Sequence, residues 1–153
     1  MTIELLSVSD LMSVHPQTVG LDISLRQMLI IMKEEGYRQL PVLDESDRLV
    51  GIVTDRDVRL AMNSPLILRE RWQDETLLDT VTAASCMSPD PVTISPDSPA
   101  YRAGEMLSAY KFGALPVVDQ DTLVGIISVT DFLDYFVAEQ KELAGGNGNI
   151  IDG

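Results

Sequence analysis

The 153-residue chain has one cysteine, one histidine and one tryptophan. A lone Cys86 excludes an intramolecular disulfide, and its expected place is a buried thiol. A lone His15 excludes a histidine pair, a Ser-His-Asp triad or a Cys/His metal cluster. Aromatic residues make up 5% of the chain against 45% hydrophobic residues, so the core must be built from Leu, Val, Ile and Met. Trp72 is expected to anchor packing. No apolar run approaches the ~18 residues of a membrane helix. The longest candidate, "LRQMLIIM", is short and carries Arg26. The opening "MTIELLSVSD" has neither the basic residue nor the small-residue cleavage site of a signal peptide. The reading is a soluble, cytoplasmic protein.

Positive charge is scarce as well. The net charge is -13, from 11 basic and 24 acidic residues. Residues 1–71 hold 8 basic and 11 acidic groups, whereas residues 72–153 hold 3 and 13. Such a chain repels nucleic acid and anionic membrane. A small anionic ligand needs local donors, and seven of the eight arginines lie in the first 71 residues.

What the chain does have is a repeat. "DLMSVHPQTV" from residue 10 matches "SCMSPDPVTI" from residue 85. Met12 pairs with Met87, Thr18 with Thr93 and Pro41 with Pro116, each 75 residues apart. Gly51 pairs with Gly125 and Asp57 with Asp131, each 74 apart, so the second copy has a turn one residue shorter. The chain is a tandem duplication.

Each copy reads as β-α-β-β-α. A polar opening leads to an extended piece, "PQTV" or "PVTI". In copy one a helix is predicted over about Ser24–Glu35, with Leu25, Met28, Leu29 and Met32 on one face and Gly36 ending it. In copy two Ser98 is the expected N-cap, with Pro99 in the first turn and Met106, Leu107 and Tyr110 on the apolar face. Two short strands follow, joined by "DESD" or "DQD". Closing helices are expected over about Asp55–Met62 and Val129–Ala138. Copy one spans residues 5–62, copy two 85–138, and residues 63–84 form a partly helical linker with Leu66, Gln73 and Leu77 at helical spacing. Residues 139–153 form a tail, expected to be disordered in its Gly- and Asn-rich part from Ala144.

Two copies in this order, each with "LPV" before the hairpin turn and "GIVTDRD" or "GIISVTD" after it, resemble a pair of CBS domains, the cystathionine β-synthase repeat. The resemblance covers residues 5–138. It implies an α+β fold in which two β-α-β-β-α repeats pack through their sheets into one pseudo-twofold module with two clefts between them. It implies a homodimer formed through helices. It also implies an adenosine ligand: AMP, ADP, ATP or S-adenosylmethionine.

The glycine of each string lets the strand run close against a neighbour. The hydroxyl that follows falls where a strand meets a helix, and amides at a helix N-terminus beside a hydroxyl form an anion site. The resemblance gives Thr54 and Ser128 to phosphate. A carboxylate three residues later suits a ribose diol, and the resemblance gives Asp57 and Asp131 that part. It puts Arg38, before "LPV", against phosphate, where copy two has Gly113, so the two sites are expected to differ. It puts Thr18 and Thr93 at the start of the base pocket. The bland alternative is that Thr54 and Ser128 cap helices and the aspartates sit in the first turns for dipole reasons. Asp55 and Asp57 diverge at i and i+2 on a helix, so a shared metal is not expected, and no P-loop is present. The chain is read as a regulatory, signal-sensing module, not an enzyme, with no required cofactor. The alternative is a ligand-free dimerisation scaffold built on "VTDFLDYFVA".

Overall fold

The computed structural model describes residues 4–62 and 71–146. The side chain of Trp72 and the linker residues 63–70, including Leu66, lie outside the described part. In chain order the elements are α1 (Val8–Leu11), β1 (Ser13–Val14), β2 (Val19–Gly20), α2 (Leu25–Glu35), β3 (Gln39–Leu43), β4 (Leu49–Thr54) and α3 (Asp55–Met62). Then follow α4 (Arg71–Thr80), α5 (Ala83–Cys86), β5 (Ser88–Pro89), α6 (Ala100–Tyr110), β6 (Ala114–Asp119), β7 (Thr122–Ser128) and α7 (Val129–Gly146). The fold is α+β, with two sheets ordered β2-β3-β4-β5 and β1-β7-β6.

The chain forms two compact units that do not follow the two copies. One unit holds residues 15–62, 71–92 and the hairpin tip 119–123; the other holds 4–14, 93–118 and 124–146. Each copy's opening segment is built into the unit of the other copy's hairpin. In the first unit β5 pairs antiparallel with β4, placing Pro89 opposite Gly51 and Ser88 opposite Ile52. In the second, β1 pairs antiparallel with β7, placing Val14 opposite Gly125 and Ser13 opposite Ile126. Backbone bonds repeat the exchange residue for residue. Leu25 N donates to Val81 O, Ala83 N to Ile23 O and Ala84 N to Leu21 O; in the other unit Ala100 N donates to Leu6 O, Val8 N to Ser98 O and Ser9 N to Pro96 O.

The two string glycines mark the close approach. A Cβ on Gly51 would collide with Met87 Sδ and lie 3.1 Å from Ser88 O. A Cβ on Gly125 would lie 2.7 Å from Met12 Sδ and 2.8 Å from Ser13 O. The neighbour that needs the glycine is therefore the incoming opening segment rather than the hairpin partner.

Each unit has its own aliphatic core. The first is built from Val19, Leu25, Met28, Leu40, Val42, Val53, Val58 and Ala83. The second is built from Val8, Ile94, Ala103, Leu107, Leu115, Val117 and Ile127. Val8 and Ala83, from the openings, have no exposed surface.

The turns follow local chemistry. Ser24 caps α2 by accepting from Gln27 N at 3.2 Å, and Gly36 ends it at φ 75°. In the first hairpin Asp44 Oδ1 accepts from Ser46 N and Arg48 N at 2.9 and 3.0 Å, and Asp47 takes φ 60°. The shorter second loop has Gln120 and Asp121 at φ 48° and 67°, the pair of positive angles that a two-residue type I′ hairpin requires.

Three expectations are corrected. Pro99, not Ser98, occupies the N-cap of α6, because Ser98 is held as the backbone acceptor for Val8 N. Tyr110 is exposed; Leu107 is buried as expected, and α6 buries Ala100 and Ala103 with it, as close helix packing favours small side chains. α7 does not stop near Ala138 but runs to Gly146, through residues 139–146 of the expected tail, because "AEQKELA" is made of strong helix formers. In the linker, Arg26 on α2 bonds Asp79 Oδ1 at 2.7 Å and Glu75 Oε2 at 2.5 Å, fastening α4 to α2. Those bonds raise the Arg26 pKa and lower that of Asp79.

Replacing Gly51 or Gly125 by Ala will destabilise the protein by about 1–3 kcal/mol through overpacking. Gly20→Ala, with nothing within 4 Å of its Cβ position, will change stability little. Urea unfolding of the three variants checks this.

Candidate functional site

In each unit the hydroxyl residue is the last of a strand and the aspartate lies in the first turn of the next helix. Thr54 ends β4 and α3 begins at Asp55. Thr54 N and Thr54 Oγ1 both donate to Asp57 Oδ2, at 2.9 and 3.1 Å, while Asp57 N donates back to Thr54 Oγ1 at 3.1 Å. Ser128 ends β7 and α7 begins at Val129. Ser128 N donates to Asp131 Oδ2 at 2.8 Å, and Asp131 N to Ser128 Oγ at 3.2 Å. These are reciprocal capping boxes with Asp in place of Glu or Gln. The capping role expected as the bland alternative is thus present in both units.

The residue before "LPV" is drawn to the same junction. Asp55 N donates to Arg38 O at 3.0 Å, and Val129 N to Gly113 O at 3.0 Å. The first amide of each helix is thereby used. Arg38 is exposed, and among the described residues no ion pair engages it. Arg56 and Arg59 lie on α3 in the same unit; the matching positions of α7 are Thr130 and Leu133. At these three positions the first unit carries arginines and the second does not, although Lys111 lies two residues before Gly113.

Thr18 directly precedes β2, whose Val19 pairs in parallel with Val42 on β3. β3 lies between β2 and β4, and Gln39 on it faces Thr54. Thr18 is in the unit of Thr54, Asp57 and Arg38, one strand away, with its carbonyl accepting from Gln17 Nε2 at 3.2 Å. Thr93 is exposed in the unit of Ser128 and Asp131, beside Ile94, which bridges to Val117. No hydrogen bond joins either threonine to its unit's aspartate among the described residues. The two sets, Thr18, Arg38, Thr54 and Asp57 against Thr93, Ser128 and Asp131, fall in different units.

Two residues went unremarked in the sequence. Ser88 Oγ donates to Asp57, 3.3 Å from Oδ1 and 3.5 Å from Oδ2. Ser13 Oγ donates to Asp131 Oδ1 at 3.4 Å. Each serine follows a methionine that packs on a string glycine. The signal was the matched "MS" at residues 12–13 and 87–88. Nearby, burial first and the charge of Asp57 second push the Cys86 thiol up. Cys86 is half-buried rather than the fully buried thiol expected. Among the described residues no cluster of His, Cys, Asp and Glu could hold a metal ion, and no helix is long and apolar enough to cross a membrane.

Duplicated β-hairpins of this pattern, each followed by a capped helix and completed by the other copy's opening, define a tandem-repeat architecture. The CBS domain family model matches twice, over residues 8–64 and 83–138, and the chain belongs to that family. A CBS domain-containing protein of Dictyostelium discoideum is 34% identical over 131 residues, which are 85% of this chain and 90% of that one. The A-adding tRNA nucleotidyltransferase of Aquifex aeolicus is 28% identical over 138 residues, and there the chain spans only 15% of the enzyme's length. Among solved structures, the CBS domain pair of protein MJ0100, in complex with 5-methylthioadenosine and S-adenosyl-L-methionine, matches with TM-score 0.73 and 26% identity over 89% of this chain and 99% of that one. CBSX2 in complex with AMP matches with TM-score 0.73 and 26% identity over 86% and 97%.

Without any ligand, Thr54→Ala and Ser128→Ala will each cost about 0.5–2 kcal/mol through the lost cap. Thr54→Ser will cost less. Denaturant midpoints measured without nucleotide check this.

Proposed function

We propose that the protein is a regulatory module that binds an adenosine ligand, AMP, ADP, ATP or S-adenosylmethionine, and signals its occupancy. The observation that carries this reading is the paired junction, where an aspartate held by its capping box stands beside a hydroxyl and helix N-terminal amides in both units. The ligands in the two related structures, AMP in one and two adenosine thioethers in the other, support it.

On this reading Asp57 and Asp131 accept the ribose diol, and Thr54 and Ser128, with the nearby amides, meet phosphate. Thr18 and Thr93 lie toward the base. Arg38, with Arg56 and Arg59 near it, makes the Asp57 site the better host for a phosphate-bearing ligand. The Asp131 site, with Gly113 in place of Arg38, suits an uncharged or sulfonium adenosine. The ligand acts by favouring one arrangement of the protein over another. The module catalyses nothing, needs no cofactor, works in the cytoplasm and binds neither nucleic acid nor membrane.

A specific observation favours a dimer, with or without ligand. Leu133 and Phe136 on α7 are 58% and 61% exposed, and Val129, Val137 and Leu143 are exposed with them. A second copy is the proposed cover. Leu133→Asp with Phe136→Asp will halve the mass measured by light scattering, while the unchanged protein stays dimeric. A monomeric unchanged protein would remove the dimer from the reading.

A thermal-shift panel with AMP, ADP, ATP, S-adenosylmethionine and GTP tests the ligand. Ligand at about a hundred times its dissociation constant adds about 2.7 kcal/mol, a shift of about 5–10 °C for a chain of this size. Asp57→Asn keeps an acceptor for the cap and so leaves the unliganded Tm nearly unchanged, yet will remove the AMP shift. No shift with any adenosine compound would leave the ligand-free scaffold.

A further inference from the structure

We infer that Ser88 is an intramolecular competitor for the carboxylate of Asp57, which a ligand diol must displace, so that occupancy is reported through the β5 segment. The inference rests on the reading of Asp57 as the ribose acceptor and adds a regulatory step to it.

A carboxylate has about four acceptor positions. Asp57 already receives three donors: Thr54 N at 2.9 Å, Thr54 Oγ1 at 3.1 Å, and Ser88 Oγ shared between both oxygens at 3.3 and 3.5 Å. A vicinal diol brings two more. One donor must leave, and Ser88 holds the longest and least committed bond. Asp131 receives only Ser128 N at 2.8 Å and Ser13 Oγ at 3.4 Å among the described residues. It has room for a diol without losing Ser13. The duplication thus supplies a matched control in the same chain.

What Ser88 holds is poised to respond. Behind it, Met87 is fixed against Gly51. Ahead of it, Asp90 stands at φ 49° immediately before Pro91, in the left-handed region that costs an L-residue some backbone strain, as His15 does at φ 52° before Pro16 in the other copy. Asp90 N is held by one bond, to Val50 O at 3.2 Å. Withdrawing the serine's anchor lets the strained turn relax while the methionine stays seated. Movement is therefore confined to the stretch around residues 88–92.

The test is calorimetric titration with AMP, joined to amide exchange. Titrations in an Asp131→Asn background read the Asp57 site, and those in an Asp57→Asn background read the Asp131 site. Ser88→Ala is expected to tighten AMP binding at Asp57 about two- to tenfold, the value of one released hydrogen bond. Ser13→Ala is expected to leave the Asp131 site within a factor of two. In the unchanged protein AMP will speed exchange at the Ser88 and Asp90 amides. In Ser88→Ala these amides will exchange fast with or without AMP. Weakened or unchanged AMP binding in Ser88→Ala would overturn the inference, as would exchange at those amides that AMP leaves unaltered or slows. Failure of the unchanged protein to bind AMP at all would remove the ribose reading first, and the competitor with it.

Discussion

The structure depends on a close approach of two backbones that only glycine permits. At Gly51 and Gly125 the incoming segment lies so near that a single methyl group would strike a methionine sulfur and crowd a serine carbonyl. That approach completes each sheet and seats Met87 and Met12. It also brings Ser88 and Ser13 within hydrogen-bond reach of Asp57 and Asp131. Core, sheet edge and candidate site therefore share one contact. Neither copy completes its sheet from its own contiguous sequence, since the segment that does so comes from the opening of the other copy.

Much of this was legible because the cues are local. The apolar period of Leu25, Met28, Leu29 and Met32, with Ser24 before and Gly36 after, defines α2 within one residue. The one-residue deficit in the second hairpin gave a tighter turn, and Gln120 and Asp121 adopt the two positive φ angles it needs. The exchange of openings was not legible. The openings form only four-residue helices, "VSDL" and "AASC", and two-residue strands, too short for any period to register. Their partners lie far along the chain, and a duplication makes each opening look equally suited to either copy. The end of α7 was missed for another reason. The Gly-rich tail drew the boundary back, although Glu139 to Ala144 favour helix without any buried face to announce it.

At the candidate site the sequence offered two readings of Thr-x-x-Asp, a helix cap or a ligand cradle. The structure shows the helix cap, and the proposed ligand site would use the same carboxylates. The capping box uses Asp57 Oδ2 and Asp131 Oδ2 and fixes each carboxylate at its junction. A carboxylate held by a backbone N–H has less rotamer freedom left to lose when it engages a diol. An acidic chain also gains by this route. A helix terminus presents donors to an anion without raising the net charge, so a chain at -13 need not be locally repellent to phosphate.

The duplication, finally, has not stayed symmetrical where chemistry is concerned. The frame is kept with little change: matched backbone bonds at both openings, matched glycine contacts, matched capping boxes. The departures gather around the strand-to-helix junctions. Arg38 corresponds to Gly113, Arg56 to Thr130 and Arg59 to Leu133, and the Thr54 hydroxyl donates to Asp57 whereas, among the described residues, the Ser128 hydroxyl accepts from Asp131 N. A scaffold needs nothing from these positions and places no demand on their charge. Two sites set to different ligands do, because one must compensate a phosphate and the other must not. On the proposed reading, two units alike in frame and unlike in charge at these positions would read two adenosine compounds rather than one compound twice.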